Sequence, residues 1–222
     1  MTIALKIDFV SDVSCPWCVV GLRALEQALA RVGPGIHADI HFQPFELNPA
    51  MASEGQDITE HITKKYNIST AQAGINRENI RLRGAELGFV FSGNSAEGGG
   101  RSRIYNTFDA HRLLHWAGLE SLATQKALKE ALFTAYFTDG HSPGSHEVLA
   151  RLARQVGLDG ARAREILVSD IYADEVRKRE QFYTSQGIHS VPAVIINDKH
   201  LISGGQPVEA FENALRQIAA GA

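Results

Sequence analysis

The first 47 positions combine apolar runs and helical spacing that predict a strand, a helix and a second strand. Ile3 to Val10 is typical of a buried strand. Apolar residues then recur on one helical face between Val19 and Val32, and Gly33-Pro34-Gly35 ends that helix. Apolar positions from Asp39 to Leu47 predict the second strand. The chain therefore begins with a βαβ pattern.

The middle of the chain, up to about Ser169, has a helical period and no strand pattern. Ser69-Thr70-Ala71-Gln72 resembles a capping box that opens one of its longer helices. A glycine-rich loop from Ser92 to Ser102 interrupts the period, and we expect it to form a flap near a cleft. The predicted helices cover residues 58–66, 70–87, 104–116, 122–137, 146–156 and 161–168.

The last 52 positions predict a helix, a β-hairpin and a final helix. The helix covers residues 171–186, and the β-branched run from Val191 to Ile196 predicts a strand. Asn197-Asp198-Lys199 supplies the turn, and a return strand covers residues 200–203. Pro207 stands at a first helical position of the last helix.

This order of elements predicts an α/β protein with a thioredoxin fold and an inserted all-helical domain. The strands come from both ends of the chain and must meet in one sheet. The thioredoxin-like domain is predicted over residues 1–48 and 171–222, and the helical insertion over residues 49–170.

Composition excludes several classes of function. The chain has 222 residues, of which 44% are hydrophobic, and a net charge of −3. That charge favours neither nucleic acid nor an anionic membrane as a partner. No apolar run approaches the roughly 20 residues of a membrane helix. The first residues lack the pattern of a secretory signal, so we expect a cytoplasmic protein.

The two cysteines of the chain, Cys15 and Cys18, form a Cys-Pro-Trp-Cys motif between the first strand and the first helix. Two thiols at this spacing can close a small disulfide, and the start of a helix favours the thiolate of the first. In this context the motif indicates redox chemistry. Half of a zinc site or a structural disulfide are the alternatives, but no further cysteine exists to complete a usual zinc set.

Several motifs together resemble the DsbA-like oxidoreductases, and specifically their cytoplasmic FrnE-like branch. Cys15 to Gly21 is similar to the active-site opening of that family. Gly187 to Ala193 is similar to its segment with a cis-proline, and Ile202 to Pro207 to its isoleucine-serine-glycine-x-glutamine-proline stretch. Residues 106–117 and 131–137 resemble its helical domain, so the resemblance spans nearly the whole chain.

The resemblance implies a thiol–disulfide oxidoreductase or isomerase. It makes Cys15 the exposed nucleophile near the first helical position and Cys18 the thiol that resolves the mixed disulfide. Pro16, Trp17, Val191 and Pro192 would bind the substrate, with the peptide bond before Pro192 in the cis form. Disulfide-containing proteins or small thiols are the expected partners of a monomer or homodimer. No bound cofactor or metal is expected, although glutathione can serve as redox partner.

Two departures from the family pattern and two rival functions stay open. DsbA and thioredoxin carry a buried acid in the strand before the motif, whereas Asp8 and Asp12 lie at other spacings. A second cysteine pair, found in some FrnE-like proteins, is missing.

One rival function is a glutathione-dependent isomerase or transferase of the hydroxychromene-carboxylate isomerase or kappa type. The other is a redox-inert binding or chaperone domain.

Two further motifs favour ordinary structural interpretations. His111 and His115 stand four residues apart, as metal ligands on a helix can, but no carboxylate accompanies them in register. We therefore expect them to pack or to line a cleft. Residues 93–101 are rich in glycine, yet they lack the Gly-Lys-Ser/Thr ending of a phosphate-binding loop.

Overall fold

The computed structural model describes residues 2–92 and 103–221. Its strands are β1 Ile3–Ser11, β2 Ile36–Pro44, β3 Gln56–Asp57, β4 Arg103–Ile104, β5 Ala193–Ile196 and β6 His200–Ser203. Its α-helices are α1 Pro16–Val32, α2 Ile58–Tyr66, α3 Thr70–Glu86, α4 Phe108–Glu120, α5 Leu122–Phe133, α6 His146–Gln155, α7 Gly160–Leu167, α8 Ala173–Ser185 and α9 Val208–Ala220. A π-helical turn over Thr134–Thr138 continues α5.

One four-stranded sheet, in the order β2-β1-β5-β6, unites the two ends of the chain. β1 pairs in parallel with β2 and antiparallel with β5, so that Ile7 lies opposite both Ile40 and Ile196. β2 therefore has one free edge. The prediction of an α/β thioredoxin fold is confirmed, because strands from both ends of the chain meet in this sheet and helices connect the strands along the sequence.

The two faces of β1 pack against different helices because successive side chains of a strand point to opposite faces. Leu5, Ile7 and Phe9 share a core with α1 and α9, and both cysteines belong to the same cluster. Val10 packs on the other face with Tyr183 of α8. The end of β1 and the start of α1 are thus held between two apolar layers.

A second core joins helices α4, α5, α6 and α7. Its fully buried members include Leu113, Leu128, Leu149 and Ile166, each on the inner face of a different helix. Val13, from the turn between β1 and α1, packs in the same cluster. The turn that carries the cysteine motif therefore connects the two cores. The predicted domain boundaries, 1–48 with 171–222 and 49–170, stay a prediction.

The structure corrects the predicted bounds of β2 and α4 and the expectation of a middle region without strands. β2 covers Ile36–Pro44 instead of residues 39–47, because it pairs along the whole of β1 and Pro44 has no N–H to continue the ladder. α4 begins at Phe108 instead of Ile104, where the Asn106 side chain accepts a hydrogen bond from the Phe108 N–H at 2.9 Å. Ile104 instead pairs with Gln56, so the middle of the chain also contains a two-stranded ribbon.

The interpretation of the glycine-rich loop as a flap falls on residues that lie almost wholly outside the described part of the chain. Ser69 does cap α3, since its Oγ accepts a hydrogen bond from the Gln72 N–H at 3.1 Å. Within residues 2–92 and 103–221, none of the helices has the length and apolar character needed to span a bilayer.

Candidate active site

The cysteine motif forms the first turn of α1. Cys15 is the N-cap residue with an extended backbone, and Pro16 occupies the first helical position, where its missing N–H costs no hydrogen bond. The Cys18 N–H donates to the Cys15 carbonyl at 3.0 Å. Both cysteines are free thiols. The first turn of the helix therefore carries two thiols that can be joined or separated by redox chemistry.

The expectation that Cys15 is exposed was wrong, since only 4% of its surface is accessible. The turn that precedes β5 covers it, and the Cys15 Sγ donates to the Val191 carbonyl at 3.6 Å. The Val191–Pro192 peptide bond is cis, as the family resemblance implied. The Cys15 thiol and the Val191 carbonyl therefore lie together at this turn.

Glycines allow the Pro192 turn and the following loop to approach α1 closely. A Cβ at Gly21 would lie 2.9 Å from the Pro192 Cγ, and one at Gly205 would lie 3.1 Å from the Trp17 carbonyl oxygen. Trp17 itself keeps 40% of its surface exposed beside Cys15 in the motif. The structure thus brings the six predicted site residues, Cys15, Pro16, Trp17, Cys18, Val191 and Pro192, to one place.

Cys18 is completely buried, and its ionisation is suppressed. Burial, followed by the hydrogen bond and charge of Cys15, raises the pKa of the Cys18 thiol well above its ordinary value. The positive charge of Lys129 acts in the opposite direction but does not cancel burial. Cys18 is therefore a protonated thiol in the reduced protein.

Asp12 is a buried acid beside the motif, although it lies in the turn after β1 and not in the strand. Its Oδ2 accepts from the Leu47 N–H at 2.7 Å and its Oδ1 from the Ser14 N–H at 3.1 Å. Burial alone would raise the pKa of Asp12, but His111 and these two N–H groups lower it below the ordinary value. Asp12 is therefore a fixed negative charge that holds the turn.

Lys129 of α5 is fully buried, and within residues 2–92 and 103–221 its Nζ has no hydrogen-bond partner. The Nζ lies 4.8 Å from the centre of the Phe133 ring. Burial lowers the pKa of Lys129 to about 8, although the charges of Cys18, Asp12 and Cys15 favour the ammonium. This cation lies close enough to the dithiol for their charges to interact.

α2 supplies a further cation on the side of Cys15. The Lys65 Nζ donates to the Leu47 carbonyl and to the Asn48 Oδ1, both at 2.8 Å. Burial lowers the pKa of Lys65, whereas the charges of Asp12 and Cys15 raise it. The Lys65 ammonium therefore lies close enough to Cys15 for the charges of the two groups to interact.

Sequence reasoning found the cysteines and the Pro192 turn but missed Lys129. The signal was present in α5, whose buried positions are Gln125, Leu128, Lys129, Leu132 and Phe133. That spacing is the inner face of an amphipathic helix, so a lysine and a glutamine on it are buried by the helical period alone. A buried lysine is rare enough to mark a site.

The two histidines of α4, His111 and His115, contact different side chains. His111 is buried with its Nε2 3.7 Å from the Asp12 Oδ1, and His115 contacts the ring of Tyr172 at 5.2 Å. Among the described residues, no group of three or more histidine, cysteine or carboxylate side chains is arranged to hold a metal ion.

A thioredoxin fold with a dithiol at the start of α1 and a cis-proline beside it defines the class of this protein. The sequence matches the DSBA-like thioredoxin domain over residues 6–216. The chain therefore belongs to the family of DSBA-like thioredoxin domains, and the resemblance predicted from the motifs is confirmed.

Solved structures agree with this assignment. A probable DsbA oxidoreductase from Streptomyces coelicolor is 33% identical, with a TM-score of 0.85 over 98% of this chain and 90% of that one. A 2-hydroxychromene-2-carboxylate isomerase is 14% identical, with a TM-score of 0.70 over 97% of both chains. The cytosolic disulfide reductase DsbM from Pseudomonas aeruginosa, solved with glutathione, is 17% identical, with a TM-score of 0.63 over 97% of this chain and 99% of that one. The last two similarities show the fold alone.

Proposed function

We propose that this protein is a thiol–disulfide oxidoreductase that uses Cys15 as nucleophile and Cys18 as resolving thiol through a mixed disulfide. The observation that carries the proposal is the contact of the Cys15 Sγ with the Val191 carbonyl, 3.6 Å away, at the cis-Pro192 turn. It joins the free dithiol to the backbone segment that leads into β5. Such a segment offers hydrogen-bonding groups to an extended substrate chain.

The reaction balances as two exchanges of a sulfur–sulfur bond. The Cys15 thiolate attacks a substrate disulfide, a Cys15–substrate disulfide forms, and the first substrate sulfur leaves as a thiolate. Cys18 then loses its proton and attacks the Cys15 Sγ, which forms the Cys15–Cys18 disulfide and releases the second substrate sulfur. The substrate gains two electrons and the protein loses them. Two glutathione thiols reduce the Cys15–Cys18 disulfide to the dithiol and leave as glutathione disulfide, and the same exchanges in reverse oxidise a dithiol substrate.

The different environments of the two cysteines fit this order of events. Cys15 is the N-cap residue of α1, where its Sγ contacts the Val191 carbonyl beside the exposed ring of Trp17. Burial raises the pKa of Cys18, so that Cys18 stays a thiol until the first exchange has occurred. One cysteine is therefore suited to attack and the other to wait.

Trp17 and the Pro192 turn would form the substrate platform. Trp17 exposes an apolar ring next to Cys15, and Pro16 fixes the backbone at the start of the helix. Val191 and Pro192 would align an extended peptide or the cysteine of a small thiol. We propose a cytoplasmic location and a reductive direction, by analogy with DsbM, a cytosolic disulfide reductase of the same fold that was solved with glutathione.

Trapping of the intermediate tests this proposal. The Cys18→Ser variant, mixed with insulin or with glutathione disulfide, should accumulate a mixed disulfide on Cys15 that intact-mass spectrometry detects. The Cys15→Ser variant is the matched control and should form none. If Cys18→Ser turns over a glutathione-dependent isomerisation as fast as the wild type, the rival isomerase function would replace the oxidoreductase. If neither variant differs from the wild type, the cysteines have no redox role.

A further inference from the structure

A cavity of about 120 Å³ opens at the free edge of β2, between that strand and helices α4, α5 and α8. In the described part of the chain, its lining includes neither cysteine nor Pro192. The backbone of β2 is already satisfied here, because the Gln125 side chain accepts from the Phe42 N–H and donates to the Phe42 carbonyl, both at 3.0 Å. The cavity is therefore not the result of a strand edge left unpaired.

The ionisable side chains that line this cavity are all basic. They are His41 of β2, His111 and His115 of α4, Lys129 of α5 and Arg179 of α8. Over residues 2–92 and 103–221, no carboxylate is among the lining residues. Basic groups from four different elements thus converge on one small volume, which is the arrangement that attracts an anion.

Two of these basic groups, Lys129 and His111, are buried. In the part of the chain that the structure describes, the Lys129 Nζ and the His111 Nε2 have no hydrogen-bond partner. The nearest carboxylate, Asp12, has its oxygens bonded to the Ser14 and Leu47 N–H groups and lies 3.7 Å from the His111 Nε2. An ammonium group withdrawn from water is costly unless a hydrogen-bonded anion accompanies it.

We propose that this cavity binds a small carboxylate, with the Lys129 Nζ and the His111 Nε2 donating to its oxygens. A two-carbon acid has four heavy atoms. At roughly 30 Å³ for each water-sized group, it needs about the 120 Å³ that the cavity offers. Arg179 adds positive charge around the cavity. At neutral pH Lys129 is still mostly an ammonium, because its pKa is lowered only to about 8. The proposed site does not depend on the function assigned to the cysteines.

Binding of acetate by the reduced, full-length protein tests this proposal. Nuclear magnetic resonance should show saturable shifts of the side-chain signals of His111 and Lys129 when acetate replaces chloride at constant ionic strength. Acetamide, which has the same shape without the charge, should produce no saturable shift. The acetate and acetamide titrations both use the wild-type protein, so their result does not depend on whether a variant folds. Equal responses to acetate and acetamide, or shifts that never saturate, would overturn the proposal.

Two variants locate the site. Lys129→Met should weaken acetate binding by about tenfold or more, the effect of losing one charge-assisted hydrogen bond. Lys126→Met, on the same helix but only partly buried and outside the cavity lining, should bind acetate as the wild type does. A folded Lys129→Met protein with unchanged acetate affinity would place the ligand elsewhere and refute the assignment.

Discussion

Replacement of Lys129 by methionine should stabilise the protein, because it removes a buried cation without emptying the space it fills. Burial lowers the pKa of Lys129 from the ordinary 10.5 to about 8. At about 1.4 kcal/mol for each pKa unit, the folded state pays about 3 kcal/mol to keep this ammonium protonated. Methionine has a similar length and no charge, so that Lys129→Met should gain roughly this amount at neutral pH.

The pH dependence of that gain follows from proton linkage. Below about pH 8 the folded and unfolded states both hold the proton on Lys129, so the full penalty is present. Between about pH 8 and 10.5 the unfolded state binds more protons, and the wild type becomes more stable relative to Lys129→Met as the pH rises. The advantage of the variant should therefore shrink across this range.

Urea unfolding of the reduced protein, in a buffer free of small carboxylates, measures this effect. Lys129→Met should exceed the wild type by about 3 kcal/mol near pH 7 and by much less at about pH 10. Lys126→Met, which removes the partner of the mostly buried Glu26 carboxylate, should not stabilise the protein. A Lys129→Met protein that is no more stable than the wild type at either pH would refute the reasoning. Acetate should narrow the difference if it occupies the proposed site.

Three further substitutions test other contacts. Gln125→Leu should cost about 2–4 kcal/mol in urea unfolding, because it strips partners from the buried N–H and carbonyl groups of Phe42; no loss would contradict that role. Asp12→Asn should destabilise by about 1–3 kcal/mol at neutral pH. Since the folded pKa of Asp12 lies below 3.8, this difference should be full above pH 3.8 and shrink as the pH falls through the folded value; a constant difference would contradict it. Gly21→Ala should slow insulin reduction, because its Cβ would lie 2.9 Å from the Pro192 Cγ. Gly74→Ala, where the new Cβ meets no atom within 4 Å, should leave the rate unchanged, and equal rates in both variants would contradict the contact.

The sequence allowed the redox motif and the cis-proline turn to be predicted because both are short and local. Cys15 to Gly21 and Gly187 to Ala193 carry their signal in consecutive residues. Their meeting in space followed from the order of strands, since β1 and β5 must be neighbours for the two ends of the chain to form one sheet. The sequence pattern and the family resemblance were therefore enough to predict the cysteine motif and the Pro192 turn.

The buried charges were not predicted, because they depend on how α4 and α5 pack against the turn after β1. Lys129, His111 and Asp12 are far apart in sequence, and each alone is an ordinary polar residue. The end of β2 was misplaced for a related reason. Phe45 and Leu47 are apolar because they pack beneath the sheet with the cluster around Tyr183, although neither belongs to the strand.

The equilibrium between the dithiol and the Cys15–Cys18 disulfide in glutathione buffers is the most direct test of the central claim. Mixtures of reduced and oxidised glutathione, quenched with acid and analysed by thiol alkylation and mass spectrometry, give the fraction of each form. The account predicts one reversible two-electron transition in the wild type and none in Cys15→Ser or Cys18→Ser. A wild-type protein that stays a dithiol at every glutathione ratio, or that forms only glutathione adducts, would contradict it.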